Sequence, residues 1–182
     1  DAVFNKLDSL GITSIRGNII ADDTYFTDEP YPKGWSIEDI PFAFSPEVSG
    51  LNYYDNTVEF LCEPGIAPGE KPHIDIVPEN EYVTYINDLI TTDSNIASTA
   101  EGLRSAESNS FVISGGVPLR KERNNVIIQS SIHKPGLYFA SILRSELERR
   151  GIRIRGSLLE SKEIYYFPNY PTLVLLAEQN SP

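Results

Sequence analysis

Several groups of residues in this chain have the types and spacing that chemistry requires. Ser131-Ile132-His133-Lys134 is an S-x-x-K tetrad, in which a lysine one helical turn beyond a serine can take its proton and leave a nucleophile. Pro135 follows at once and would fall inside the helix needed to keep Ser131 and Lys134 on one face. No S-x-N or K-[ST]-G segment accompanies the tetrad, so a structural Ser131 is expected. His73 and Asp75 lie two apart in an alternating run, which puts them on one face of a strand as a base and its orienting acid, but with no serine or cysteine placed to use them. Both are expected at the surface. Asp22-Asp23 with Asp28-Glu29 gathers four carboxylates, yet lacks the spacing and the glycine of a calcium loop, and turn and cap duty is the expected role. Cys62 stands alone among strand-like apolar neighbours, and with His73 and His133 it makes no cluster of metal-ligand spacing; no metal and no cofactor are expected, and Cys62 is assigned to the core.

The stretch Gly34-Trp35-Ser36-Ile37-Glu38-Asp39-Ile40-Pro41-Phe42-Ala43-Phe44-Ser45-Pro46 is different in kind. It keeps bulky rings and acids together in a proline-broken loop, a composition that suits one wall of a binding site. A carboxylate beside an aromatic surface favours a ligand bearing an ammonium group, through charge pairing and cation–π attraction. The same composition also suits a loop whose rings pin it to its own domain.

The elements that position these groups begin with two similar segments. Val3 and Leu7 lead into Gly11-Ile12, Ile15-Arg16-Gly17 and Ile19; Leu143 and Leu147 lead into Gly151-Ile152, Ile154-Arg155-Gly156 and Leu158. Each reads as a helix with inward side chains four apart, a glycine suited to the left-handed C′ position, and a short strand. Residues 20 to 146 lie between them, so the chain is expected to leave one unit, build another, and return. Pro135 suits the first position of the second helix, Ala140, Leu143 and Leu147 line one of its faces, and Arg149-Arg150 complement its C-terminal dipole.

The middle reads as mostly β. Leu51 to Leu61 has a strand pattern with a turn at Asp55-Asn56, His73 to Val77 alternates with period two, Tyr82 to Ile90 is β-branched and aromatic, and Phe111 to Ser114 and Val126 to Gln129 bracket a polar connection. The polar run Thr91 to Ser110 is expected to be a loop at a hairpin tip. Leu173 to Ala177 reads as a final strand, and the rings of residues 27 to 50 are expected to pack on something. The fold class is therefore α+β, with a discontinuous αβ domain at 1–56 and 130–182 and a nested β-rich domain at 57–129.

With 182 residues and 40% hydrophobic content the chain can bury a core, taking about 70% of its unfolded surface out of water. A net charge of −11 argues against nucleic acid as a partner, since a phosphate footprint needs clustered Lys and Arg. No apolar run approaches a membrane span. The chain begins on a helix already in progress and stops in a turn signal, as an excised fragment would.

Taken in order, Gly-Ile-x-x-Ile-x-Gly-x-Ile-Ile-x-Asp-Asp at 11 to 23, Gly34-Trp35, Asp39, Phe44-Ser45-Pro46, and Pro135 through Leu147 to Gly151-Ile152 resemble the D-alanyl-D-alanine carboxypeptidases of the class C low-molecular-mass penicillin-binding proteins. In that family a serine β-lactamase-like domain is interrupted, between S-x-x-K and S-x-N, by an insertion folding as two extra domains, one nested in the other. The resemblance implies that this chain is that insertion, non-catalytic alone, from a serine-type peptidase acting on peptidoglycan in the bacterial periplasm or cell envelope. It further implies that Asp39 and Phe44 approach the amine-bearing side chain of the stem peptide. A non-enzymatic module binding peptidoglycan or a protein, and a structural spacer, are the other readings of the residues.

Overall fold

The computed structural model describes residues 2–25, 29–119, 125–161 and 174–178. Two helices and ten strands form in the described residues, eight of the strands lying in sequence between the helices, an α+β arrangement. Helix α1 (Ala2–Ser9) leads to β1 (Ser14–Ile15) and β2 (Ile19–Ala21), and an irregular segment then runs to β3 (Thr57–Glu63). Strands β4 (His73–Val77), β5 (Thr84–Thr92), β6 (Glu101–Leu103), β7 (Ser110–Pro118) and β8 (Val126–Ser131) follow. Helix α2 (Pro135–Arg149), β9 (Arg153–Ile154) and β10 (Leu158–Glu160) complete the set.

Both helices end the same way. Gly11 has φ +66° and Gly151 φ +92°, a region that costs glycine nothing. The Gly11 N–H donates to Asp8 O (2.8 Å) and Ile12 N–H to Leu7 O (2.9 Å); Gly151 N–H donates to Glu148 O (2.9 Å) and Ile152 N–H to Leu147 O (3.0 Å). These paired bonds form the Schellman motif, which satisfies carbonyls the helix leaves open and turns the chain sharply. Each turn delivers a strand, and β1 pairs in parallel with β9, Ile15 opposite Ile154. Strands β2 and β10 pair in the same sense, Ile19 opposite Leu158.

Two apolar cores result. Leu7, Leu147, Ile152 and Ile154 are buried together, with Val3, Ile12, Ile15, Ile19 and Leu143 packed around them. The larger core takes Val58, Phe60, Cys62, Ile74, Leu89, Phe111, Ile113 and Val117 from the strands and Tyr138 from α2. Its sheets run β4-β3-β8 and β5-β7-β6. Helix α2 serves both cores, giving Tyr138 and Ile142 to one and Leu143 and Leu147 to the other. Pro135 opens the helix at its first turn, preceded by Lys134 in the left-handed region at φ 55°.

The structure corrects several expectations. Strands β5 and β7 pair in parallel over nine residues, so 93–109 is a crossover connection and not a hairpin tip. It contains β6, which adds antiparallel to β7 on the side away from β5. Ala100 N–H is held by Ser98 Oγ (3.2 Å), and Gly116 N–H by Thr99 Oγ1 (2.9 Å); such local polar bonds let a Ser/Thr-rich run order itself. Leu51 to Tyr53 form no strand, because Tyr54, Asp55 and Asn56 all have φ near +54° and break the extension before β3. Val174 to Ala177 carry no strand assignment; Leu176 packs against the smaller core, and Leu173 lies outside the described residues.

At the C-terminus of α2, Glu146 accepts from Arg149 Nε (2.9 Å) and from Arg150 Nε. These bonds lower its pKa from 4.5 to about 2. A carboxyl whose folded pKa is depressed contributes stability above its unfolded pKa and loses it as pH falls through the folded value. Thermal unfolding of Glu146→Gln and the parent chain should therefore differ at neutral pH and converge between pH 4.5 and 2; a constant offset across that window would show that the carboxylate charge is not what matters.

Candidate functional site

The irregular segment before β3 holds its shape through backbone bonds and short turns. A 3-10 turn at Ile37–Asp39 is capped by Ser36, whose Oγ accepts from Glu38 N–H at 3.3 Å. Asp39 O then accepts from Phe42 N–H (3.0 Å), and Phe42 O from Ser45 N–H (3.0 Å). At the base, Val48 N–H donates to Pro30 O (2.8 Å). The middle is tied to β8: Ser131 N–H donates to Pro41 O (3.0 Å), its hydroxyl donates to Ile40 O, and Phe42 bridges Ser130.

Most of the loop's rings face solvent, contrary to the expectation that they pack inward. Phe44 is 70% exposed and Trp35 40%. The rings pair with each other instead: Phe42 and Phe44 stack at 5.5 Å with planes 11° apart, and Tyr31 lies 6.4 Å from Trp35. Burial of Ile40 and polar bonds to β8 supply the anchorage that the rings do not. Asp39 is half-buried, and its carboxylate has no hydrogen bond or ion pair among the described residues. Beside the loop lies an open cavity of about 570 Å³ lined by Trp35, Pro46, Glu47, Val48, Asn52 and Asp55. Asp39 and Phe44 do not line it. Acids and aromatic faces together can hold a cation, by charge pairing and cation–π attraction.

The other expected groups separate clearly. Ser131 is fully buried; its hydroxyl accepts from Arg104 Nη2 (3.0 Å) as well as donating to Ile40 O. Lys134 Nζ is 2.8 Å from Glu160, so serine and lysine serve different partners and no nucleophile is prepared there. His73 Nε2 and Asp75 Oδ1 meet at 3.1 Å on the exposed face of β4. Asp22 Oδ1 accepts from Thr24 N–H (3.1 Å) and its hydroxyl (2.6 Å), and Asp23 accepts from Gly50 N–H; Asp28 lies outside the described residues. The Cys62 thiol is fully buried, and desolvation pushes it up to about 11, which leaves it inert.

Glu47 was not among the candidates read from sequence. It is 5% exposed and accepts from Tyr31 Oη (2.9 Å), His133 Nδ1 (2.7 Å) and Lys134 N–H (2.9 Å). A lone acid in a proline-rich loop gives no local pattern, because its partners lie up to 87 residues away.

Over residues 1–176 the chain matches the family of D-Ala-D-Ala carboxypeptidase 3 (S13). It belongs to that family. Among curated relatives of the carboxypeptidase family, the D-alanyl-D-alanine carboxypeptidase of Actinomadura sp. (strain R39) is 24% identical over 163 residues, covering 87% of this chain and 30% of the relative. D-alanyl-D-alanine carboxypeptidase DacB of Haemophilus influenzae is 22% identical over 155 residues, covering 85% of this chain and 32% of the relative. The crystal structure of penicillin binding protein 4 (dacB) from the same organism superposes with a TM-score of 0.72 at 18% identity, over 91% of this chain and 36% of that one. The fold of the matched third of that structure is thus shared, and this chain spans about a third of the length of the relatives it matches.

Proposed function

We propose that this chain is the non-catalytic inserted region of a serine-type D-Ala-D-Ala carboxypeptidase and shapes substrate access to a catalytic domain outside it. The observation that carries this is coverage: the family match takes in 1–176 here, yet the relatives are about three times as long. The buried, engaged hydroxyl of Ser131 supports it, since the only S-x-x-K tetrad has no reactive serine. The carrier enzyme cleaves the terminal D-Ala of peptidoglycan stem peptides through an acyl-serine intermediate, outside the cytoplasm. In this reading 1–56 and 130–182 form one domain, the helix–glycine–strand segments are its two copies, and 57–129 is the nested domain; the smaller core and the Ile15–Ile154 pairing support the division, while α2 lends Tyr138 across it.

Asp39 and Phe44 are the residues proposed to meet the amine-bearing side chain of the stem peptide. The free Asp39 carboxylate and the exposed Phe44 ring support this. Covalent labelling with a fluorescent penicillin tests the main reading: the carrier enzyme takes the label and this chain alone does not, while labelling of the chain alone overturns it. Asp39→Ala in the carrier enzyme should raise KM about tenfold, equivalent to ~1.4 kcal/mol of binding, with kcat little changed. Unaltered kinetics would remove Asp39 from the site.

A further inference from the structure

The aromatic loop has two feet, Tyr31 and Glu47, and their side chains join: Tyr31 Oη donates to Glu47 Oε1 at 2.9 Å. The other contacts of Glu47 reach outside the loop. His133 Nδ1 meets Oε1 at 2.7 Å and Lys134 N–H donates to Oε2 at 2.9 Å, both from the turn between β8 and α2. That turn is itself held: His133 N–H donates to Asn109 Oδ1 (2.8 Å), while His133 O accepts from Asn109 Nδ2 (2.8 Å) and Tyr82 Oη (3.3 Å). Burial, and then the Glu47 charge, push the Tyr31 hydroxyl up to about 12, so it keeps its proton and stays a donor. One buried carboxylate thus closes the loop at its base and fastens it to a turn braced from the β5–β7 side.

We propose that Glu47 is the positioning residue of the Trp35–Phe44 loop: it sets where Trp35, Asp39 and Phe44 stand relative to β8 and α2, and through them how the substrate's cationic side chain is met. This rests on the reading of the loop as a substrate wall given above. Glu47 touches no substrate in this proposal and acts through the loop alone. Geometry, not charge, is the requirement. A glutamine fits the same space, its amide N–H groups donating to the Tyr31 hydroxyl and a neutral His133 while its oxygen accepts from Lys134 N–H. An alanine leaves three part-buried donors without that acceptor.

The chain contains one tryptophan, so its fluorescence reports on this loop alone. Glu47→Ala should raise the acrylamide quenching constant of Trp35 about twofold, Tyr31→Phe should raise it by less, and Glu47→Gln should leave it near the parent value, as expected when an acceptor or one donor is deleted. In the carrier enzyme Glu47→Ala should raise KM about fivefold with kcat within about twofold, and Glu47→Gln should restore it. Unchanged quenching in both Glu47→Ala and Tyr31→Phe would overturn the proposal, as would Glu47→Gln behaving like Glu47→Ala. If Glu47→Ala fails to fold, Tyr31→Phe decides. If quenching rises while KM stays constant, the clasp on the loop stands and the reading of the loop as a substrate wall falls.

Discussion

Gly156→Ala should cost about 3 kcal/mol of stability, while Gly17→Ala should cost nothing measurable. The two glycines occupy the same place in their Ile-Arg-Gly triplets, so sequence alone gives them equal weight. The structure does not. A Cβ at Gly156 would meet Gly17 O at 2.1 Å, Gly17 C at 2.4 Å and Asn18 N at 2.7 Å, whereas a Cβ at Gly17 would meet nothing within 4 Å. Backbone cannot swing aside as a side chain can, so relief requires parting the crossover where Ser157 N–H reaches Asn18 Oδ1 (2.9 Å) and Ile19 N–H reaches Ser157 O (3.0 Å). Gly17 has an ordinary φ, and an added methyl there restricts the unfolded chain more than it disturbs the folded one. Urea unfolding of the two variants measures the contrast, and equal losses would show that the approach of the two triplets is looser than it stands here.

Arg104→Met should be at least as damaging, at about 3–5 kcal/mol, because it removes a buried cation on which several acceptors depend. Arg104 is 8% exposed. Its Nε and Nη2 donate to Ser131 O (2.9 Å) and Ser131 Oγ (3.0 Å), and its Nη1 faces Ser105 O (3.0 Å), Ala106 O (3.0 Å) and Ser108 O (3.4 Å). Methionine fills similar space with no donor, leaving the buried Ser131 oxygens without these bonds and the part-buried carbonyls of Ser105, Ala106 and Ser108 short of a partner. Arg104→Lys, with three donors on a single nitrogen, should recover only part of the loss. A cost below about 1 kcal/mol for Arg104→Met would mean that water reaches the orphaned carbonyls.

The parts of the fold legible in sequence were those written in local period and punctuation. Pro135, the four-residue spacing of Leu143 and Leu147, and Gly151 mark α2 because a helix declares its face and both its ends within a few residues. The alternation of His73 to Val77 marks β4 in the same way. Parallel pairing of β5 with β7 has no such signature. It depends on which strand lies beside which after a crossover, and the Ser/Thr-rich connection resembles a surface loop until its bonds to Gly116 are seen. The rings of residues 27 to 50 are expected to pack on something since ring size dominates composition, yet the loop is held by Glu47, Ile40 and Ser131 and leaves Trp35 and Phe44 exposed. The S-x-x-K tetrad shows the converse: Pro135 and the missing S-x-N and K-[ST]-G segments suffice to discount its chemistry, but its use as a tie between Arg104 and the loop lies in partners 27 and 91 residues distant.

The parallel pairings of β1 with β9 and β2 with β10 also set an order of events. Ser14 meets Arg153 and Ala21 meets Glu160, contacts of high sequence separation that close slowly. During synthesis the segment before residue 22 leaves the ribosome well ahead of the strands that complete it. The larger core, drawn from residues 58 to 138, can assemble while that segment waits. Strands β1 and β2 thus wait for partners made much later, and until residue 160 has emerged their edges are open to any other strand that passes.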